Sequence, residues 1–243
     1  MTKEELKSQI HVLVACEESQ AVCCAFLALG FTAFSCDVQE PSGDHQEWHI
    51  LGDAIAALDG GVITTMDGKQ HDVGKWDLLI AHPPCTYLTS AGSVNLIRLD
   101  ANGKRWVNLE RYQKMQDAVD FFLKFSQADI QHICVENPAP MHLCNLPSYS
   151  QIIEPYQFGH HWKKRTCLWL KNLPVLTPTN IVEPTGCWVL STGRTNRTKL
   201  TQNKGVRSSK ERSKTFSGIA VAMAEQWGKF LQEAKGETQC VQE

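Results

Sequence analysis

Three short apolar runs constrain this chain most: His11–Cys16 (HVLVAC), Trp76–Ala81 (WDLLIA) and Gln131–Val135 (QHICV). Each is too short for a stable helix, lacks glycine and proline, and reads as a strand buried on both faces. Phe31–Asp37 reads as another strand, ending in an acid. Between the first two strands, Ala21, Val22, Ala25, Phe26, Ala28 and Leu29 recur at helical spacing, and Gly30 supplies the stop. Glu17, Glu18 and Ser19 precede that helix, at the end where acids and hydroxyls favour its start. Tyr112, Met115, Val119, Phe122 and Leu123 mark a second helical face, and Leu51–Leu58 reads as a short helix broken at Gly60-Gly61. Strand and helix in alternation specify an open α/β sheet with mostly parallel strands and helices on both faces.

Such a sheet binds its ligands beyond the carboxyl ends of its strands. The polar corners at 16–19, 37, 82–92 and 136–138 are therefore expected to converge. Residues 86–108 are polar and too long for a routine connection, which points to a functional loop. Beyond residue 150 the texture changes. Arg165–Leu170 alternates as a strand does, and Phe216–Phe230 is amphipathic through Ile219, Met223 and Trp227. The organisation expected is a core over 10–170, a short basic segment over 171–214 and a helix over 215–234 returning to the core.

Composition limits the partners. Formal net charge is only −2, so any nucleic acid must be held by a local patch. Between residues 194 and 214 stand eight cations (Arg194, Arg197, Lys199, Lys204, Arg207, Lys210, Arg212, Lys214) against the single acid Glu211. No apolar run approaches the roughly 18 residues of a membrane span, and no basic-then-apolar leader opens the chain. Ten cysteines without an export signal suggest reduced thiols in a cytoplasmic protein, and with no C-x-x-C pair a structural metal is not expected. A monomer is the simplest expectation.

The corner with most chemistry is His82-Pro83-Pro84-Cys85, where two prolines hold a thiol just past a strand. Glu136 ends another strand, and an acid beside a thiol nucleophile suits a substrate that becomes electrophilic on protonation. Pro84-Cys85 followed by Ser90-Ala91-Gly92 resembles the nucleophile motif of the cytosine-5 DNA methyltransferases, and Val135-Glu136-Asn137 resembles their Glu-Asn motif. Gly52-Asp53 is similar to that family's contact to the adenine end of S-adenosylmethionine (AdoMet), and Asp37 stands where an acid takes the ribose hydroxyls. Lys163-Lys164-Arg165-Thr166 is similar to the motif that supports the flipped base, and Thr215–Trp227 to the C-terminal motif that completes the cofactor pocket. The resemblance, closest to compact phage and prophage members, runs from about 12 to 228. Three positions depart from it. Ala15-Cys16-Glu17-Glu18-Ser19-Gln20 replaces the Phe-x-Gly-x-Gly loop, Thr86 follows the nucleophile in place of glutamine, and the base-supporting motif keeps one arginine.

The resemblance implies a Rossmann-like AdoMet-dependent methyltransferase fold acting on double-stranded DNA with the base flipped. It implies Cys85 as nucleophile, Glu136 as proton donor and Arg165 as support for the base carbonyl. AdoMet is expected against Cys16, Glu17, Ser19, Asp37, Asp53 and Pro83, and DNA against Ser90, Gly92, Arg194, Arg197 and Arg207. Desolvation in a closed pocket is expected to keep Glu136 partly protonated near neutrality. Other readings of the same residues are an RNA cytosine reaction, another one-carbon or modified-pyrimidine chemistry, amino-group methylation, and a catalytically silent DNA-binding relative.

Overall fold

A computed structural model of the chain describes residues 2–99, 102–188 and 208–240. Its centre is a sheet of seven strands: β1 (His11–Ala15), β2 (Thr32–Asp37), β3 (His49–Leu51), β4 (Leu78–Ala81), β5 (His132–Pro138), β6 (Gln151–Ile153) and β7 (Thr166–Lys171). In space they run β3-β2-β1-β4-β5-β7-β6. The first five are mutually parallel, and β7 is antiparallel to both β5 and β6. The fold is Rossmann-like: strands 3-2-1-4-5 follow the doubly wound order, and one reversed strand is inserted before the sixth.

Alternation along the strands divides the core. Val12 and Val14 of β1, Leu78 and Ile80 of β4 and Cys134 of β5 face α2 (Ala21–Ala28) and α5 (Ser217–Cys240), where Phe26, Met223 and Trp227 are fully buried. Leu13, Leu79, Ile133 and Val135 face the other way, onto Met115, Phe122 and Phe125 of α3 (Leu109–Ser126). Asn108 caps α3, its side chain accepting the Arg111 N–H at 3.2 Å. Helices thus cover both faces, as a two-sided apolar sheet requires; α1 (Lys3–Ser8) and α4 (Ser209–Ser213) are short helices ahead of β1 and α5. Tyr112 is the one residue of the expected α3 stripe that stays exposed, at 38%.

Several local expectations need correction. Leu51–Leu58 is no helix: β3 ends at Leu51 and a single 3₁₀ turn follows at Ala56–Asp59. The long connection after Cys85 contains a 3₁₀ turn, Ser90–Asn95, and a hairpin pairing Ile97–Leu99 with Arg105–Val107. The corner expected at 136–138 is the end of β5, because β7 pairs with it through Thr166↔Pro138. A terminal proline costs that strand no needed donor. The helix α5 begins where Gly218 passes so close to Phe158 that a Cβ there would sit 1.9 Å from the Phe158 carbonyl oxygen. Among the described residues no helix is long and apolar enough to cross a membrane.

Candidate active site

The carboxyl ends of β1, β2, β4 and β5 open on one side of the sheet, and the polar corners meet there. β1 leaves the sheet through Cys16 in the left-handed region, φ 59°, and the turn closes at Gln20, φ 57°. Neither residue is glycine, so side chains must hold this turn. The buried Glu17 carboxylate accepts the Val22 N–H at 2.6 Å and the Cys23 N–H at 3.1 Å, satisfying the start of α2. Gln20 donates to Ser35 Oγ at 3.1 Å and to the His45 carbonyl at 2.9 Å, and accepts the His45 N–H at 3.2 Å. A carboxylate and an amide thereby replace the missing glycine loop. Glu17, expected as a cofactor contact, has both oxygens committed to the helix. Burial pushes its carboxyl up, against the pull of His82 and of these two N–H groups.

Cys16, Asp37 and Asp53 do come together. Burial and the charges of Asp37 and Asp53 push the Cys16 thiol far up. Asp37 accepts the Gln39 N–H at 2.9 Å, while its backbone carbonyl accepts the Gly52 N–H at 2.9 Å. Asp53 is exposed and accepts the Ile55 N–H at 2.9 Å. A Cβ on Gly52 would meet nothing within 4 Å, so the crevice is open beside these acids. Ser19 lies in the same turn, half-buried.

Across the crevice, β4 runs into His82-Pro83-Pro84-Cys85. Asn137 donates to the Pro83 carbonyl at 2.8 Å and so ties the proline corner to β5. Cys85 is partly buried, and its carbonyl accepts the Leu88 and Thr89 N–H groups. Burial and the Glu136 charge push the thiol up, while Lys164 and Arg212 pull it down. Arg111 holds the connection after the thiol, donating to the Thr86 carbonyl at 3.2 Å and lying 4.9 Å from the Tyr87 ring centre. Gly92 leaves room for it, since a Cβ there would stand 2.7 Å from Arg111 Nη2. Ser90 donates to the Pro140 carbonyl at 3.3 Å.

Glu136 is 14% exposed and lies 3.1 Å from His82 Nδ1. Burial raises its carboxyl, but His82, Lys164 and Thr166 together outweigh that and leave it below its ordinary value. The expected direction of the shift is thus corrected: the partners of Glu136 hold its carboxyl below, not above, its ordinary value. Lys164 rather than Arg165 bears on the site. Burial alternates here: Lys164 is half-buried, Arg165 exposed and Thr166 buried. Thr166 Oγ1 donates to the Lys164 carbonyl at 3.0 Å and helps hold the Glu136 carboxyl down, and the charge of Lys164 acts on Glu136, His82 and Cys85. Arg165 is exposed, and its charge bears on Glu154 and Cys167. Lys164 is held by the Lys214 carbonyl at 3.4 Å and lies 5.9 Å from the Phe216 ring centre. Arg194, Arg197 and Arg207 lie outside the described residues. Sequence reasoning placed His82 in the convergent corner without giving it a role, and it gave none to Lys164 or Arg111. For the first two the signal was present, in the strand parity that places 82 with 78 and 80, and 164 with 166.

No protein-family model matches the chain, and no curated protein matches it in sequence. Among solved structures, the chain is similar to a candidate DNA modification methyltransferase encoded within an Escherichia coli prophage, at 12% identity and a TM-score of 0.40. The match covers 72% of this chain and 52% of that one, so this chain spans about half the length of that protein.

Proposed function

We propose that this protein transfers a methyl group from AdoMet to position 5 of cytosine in DNA, with Cys85 as nucleophile. One observation carries the reading: Cys85 and Glu136 stand together at the carboxyl ends of β4 and β5, with Glu136 3.1 Å from His82 Nδ1 and the charge of Lys164 bearing on both the thiol and the carboxyl. A thiol next to a buried carboxylate suits addition to an electron-poor ring and has no use in amino-group methylation.

The residues present fit AdoMet. Glu17 fills the helix N-terminus where a dinucleotide would place its pyrophosphate, which favours a cofactor without phosphate there. Asp37 and Asp53 supply acceptors for ribose hydroxyls and the adenine amine, and their charge suits a cationic sulfonium. The open side of Gly52 and the Cys16 and Ser19 turn border the same crevice, with Pro83 across from them. When bound, AdoMet supplies an electrophilic methyl group.

The chain's own residues do the rest. Cys85 must lose its proton to water, a loss that Lys164 and Arg212 favour electrostatically. The thiolate then adds to ring position 6, and position 5 gains the electron density it needs to attack. Glu136 faces the ring nitrogen and exocyclic amine, and Lys164 takes the role at the base carbonyl first expected of Arg165. A paired base is out of reach of these groups, so the base is extruded. The connection 86–108, clamped by Arg111, closes over it with Ser90 and Gly92 toward the DNA. Arg194, Arg197 and Arg207 supply phosphate contacts within the 171–214 segment, and Arg212 brings the end of that segment to the nucleophile.

The test is incubation with AdoMet labelled in its methyl group, followed by digestion of the DNA to nucleosides. Label in 5-methyldeoxycytidine, lost in Cys85→Ser, is the expected result. Label in an N-methylated adenine or cytosine, or none from the wild type, would overturn the reading.

A further inference from the structure

The proposed reaction requires a proton at the cytosine ring nitrogen as the thiolate adds. Glu136, its carboxyl held below the ordinary value among His82, Lys164 and Thr166, is a poor source of it, because an ionised carboxylate only accepts hydrogen bonds. Across a 3.1 Å contact from its Oε2 stands His82 Nδ1. The imidazole is buried, at 10% side-chain exposure, and is locked between two prolines ahead and β4 behind. Its position continues the side of β4 that Leu78 and Ile80 occupy, where an apolar residue would satisfy packing. Its other nitrogen, Nε2, is buried with no hydrogen-bond partner. A histidine kept only for structure usually satisfies both ring nitrogens.

We infer that His82 is the proton reservoir of the site, a positioning residue that acts on the base through the Nδ1···Oε2 contact with Glu136. This rests on the methyl-transfer reading above and deepens it. The groups around the imidazole come from every element packed there: Glu136 from β5, Glu17 from the turn after β1, and Lys164 from the approach to β7. Thr166 and the Cys85 thiol complete the polar surround of Glu136. Two acids against one cation favour an imidazolium despite its burial.

The proton balance closes over one turnover. As the Cys85 Sγ–C6 bond forms, the Nδ1–H proton passes to the Glu136 carboxyl and a carboxyl proton passes to ring nitrogen 3, leaving a neutral imidazole. Position 5 is then the nucleophile whose electron pair forms the new C–C bond; bound AdoMet would supply the methyl group as an electrophile and keep the methyl–sulfur pair. Loss of the position-5 hydrogen to a base drives Sγ from C6 as thiolate. The ring-nitrogen proton returns through Glu136 to Nδ1. The net proton released is the one from position 5.

Two measurements test this on the full chain. Long-range ¹H–¹⁵N correlation of the histidine rings across pH, without substrate, should show His82 keeping both ring protons to a higher pH than an ordinary histidine. The His82 titration should move down by a pH unit or more in Glu136→Gln. A His82 that gives up its second ring proton at or below the ordinary histidine pH, or a titration unmoved in Glu136→Gln, overturns the inference whether or not the protein methylates DNA. The second measurement is kinetic. His82→Asn keeps an N–H toward Glu136 but holds no spare proton. Its kcat should fall about a hundredfold, the order expected of a lost acid–base group. Its AdoMet and DNA affinities should stay within about twofold of wild type, a difference of about 0.4 kcal/mol. The limb of the kcat–pH profile governed by the pair should shift by more than one unit, which a structural role would leave in place. Wild-type kcat with an unmoved profile in His82→Asn overturns the reservoir but leaves the methyl-transfer reading standing. Absence of methyl transfer in the wild type overturns that reading instead. Should His82→Asn not fold, His82→Gln and the ring titration of the wild type decide the matter.

Discussion

Replacing Glu17 with alanine separates a structural carboxylate from a cofactor contact. The carboxylate accepts the Val22 N–H at 2.6 Å and the Cys23 N–H at 3.1 Å, in a site that is almost fully closed to water. Hydrogen bonds to a charged acceptor contribute about 1.5–3 kcal/mol each, and an orphaned buried donor costs about as much. Burial of the charge opposes this gain, which places the net loss near the lower end, about 3 kcal/mol for the pair of bonds. For a chain of this size that corresponds to a fall in Tm of about 6–12 °C. The left-handed residues Cys16 and Gln20 flank the same turn, so alanine leaves two strained positions with one anchor fewer. Circular dichroism on thermal unfolding reads the stability. AdoMet titration calorimetry at a temperature where both proteins are folded reads the cofactor. The expected outcome is a large loss of Tm with AdoMet affinity changed by less than about threefold, or about 0.7 kcal/mol. A fall in Tm below about 2 °C would refute the capping role, since even a surviving half of the bonds predicts more. A large affinity loss at unchanged Tm would return Glu17 to the cofactor.

Lys164→Ala should lower kcat by about tenfold or more, as expected for a lost electrostatic contact to developing charge, while Arg165→Ala stays near wild type; steady-state methylation rates decide, and the reverse order would restore Arg165. Gly218→Ala brings a Cβ to 1.9 Å from the Phe158 carbonyl oxygen, so urea unfolding should show a loss of at least about 2 kcal/mol; an unchanged midpoint would mean that α5 docks elsewhere. The His82–Glu136 pair also predicts a pH profile of stability. Glu136 is shifted down from 4.5, so its contribution is present above that value and is lost as pH falls through the depressed pKa. His82 is shifted up from 6.5, so its contribution is present below that value and is lost as pH rises through the raised pKa. The stability difference between wild type and Glu136→Gln should therefore be greatest between pH 4.5 and 6.5 and shrink on both sides, as urea midpoints across pH would show. A difference independent of pH would contradict the ion pair.

Much of the architecture was legible because β1, β4 and the first half of β5 are apolar runs, α2 is apolar nearly all round and α3 carries a clear helical period. Strand direction alone puts Asp37, Cys85 and Glu136 at or beyond the carboxyl ends of β2, β4 and β5, on one edge of the sheet. What escaped was short or relational. β3 and β6 have three residues each, too few to show a period, and their pairing depends on neighbours distant in sequence. Nothing in the residues of β7 states that it runs antiparallel between β5 and β6; tertiary pairing decides that. The direction of the Glu136 shift was misjudged because burial was counted without its partners, and two of those, His82 and Lys164, had been given no role. Arg165 was preferred to Lys164 by residue type, whereas burial along 164–166 puts Lys164, not Arg165, on the covered side with Thr166.

The central claim is that Cys85 adds covalently to a cytosine ring. DNA carrying 5-fluorocytosine cannot lose the substituent at position 5 as a proton, so the adduct with an attacking thiolate should persist after methyl transfer. Incubating the protein with such DNA and AdoMet, then digesting both and locating the adduct by mass spectrometry, tests the claim directly. The account predicts a nucleotide carrying the transferred methyl group on the peptide that contains Cys85, absent in Cys85→Ser. Methylation of ordinary cytosine at position 5 by the same preparation, with no adduct on Cys85, would contradict it.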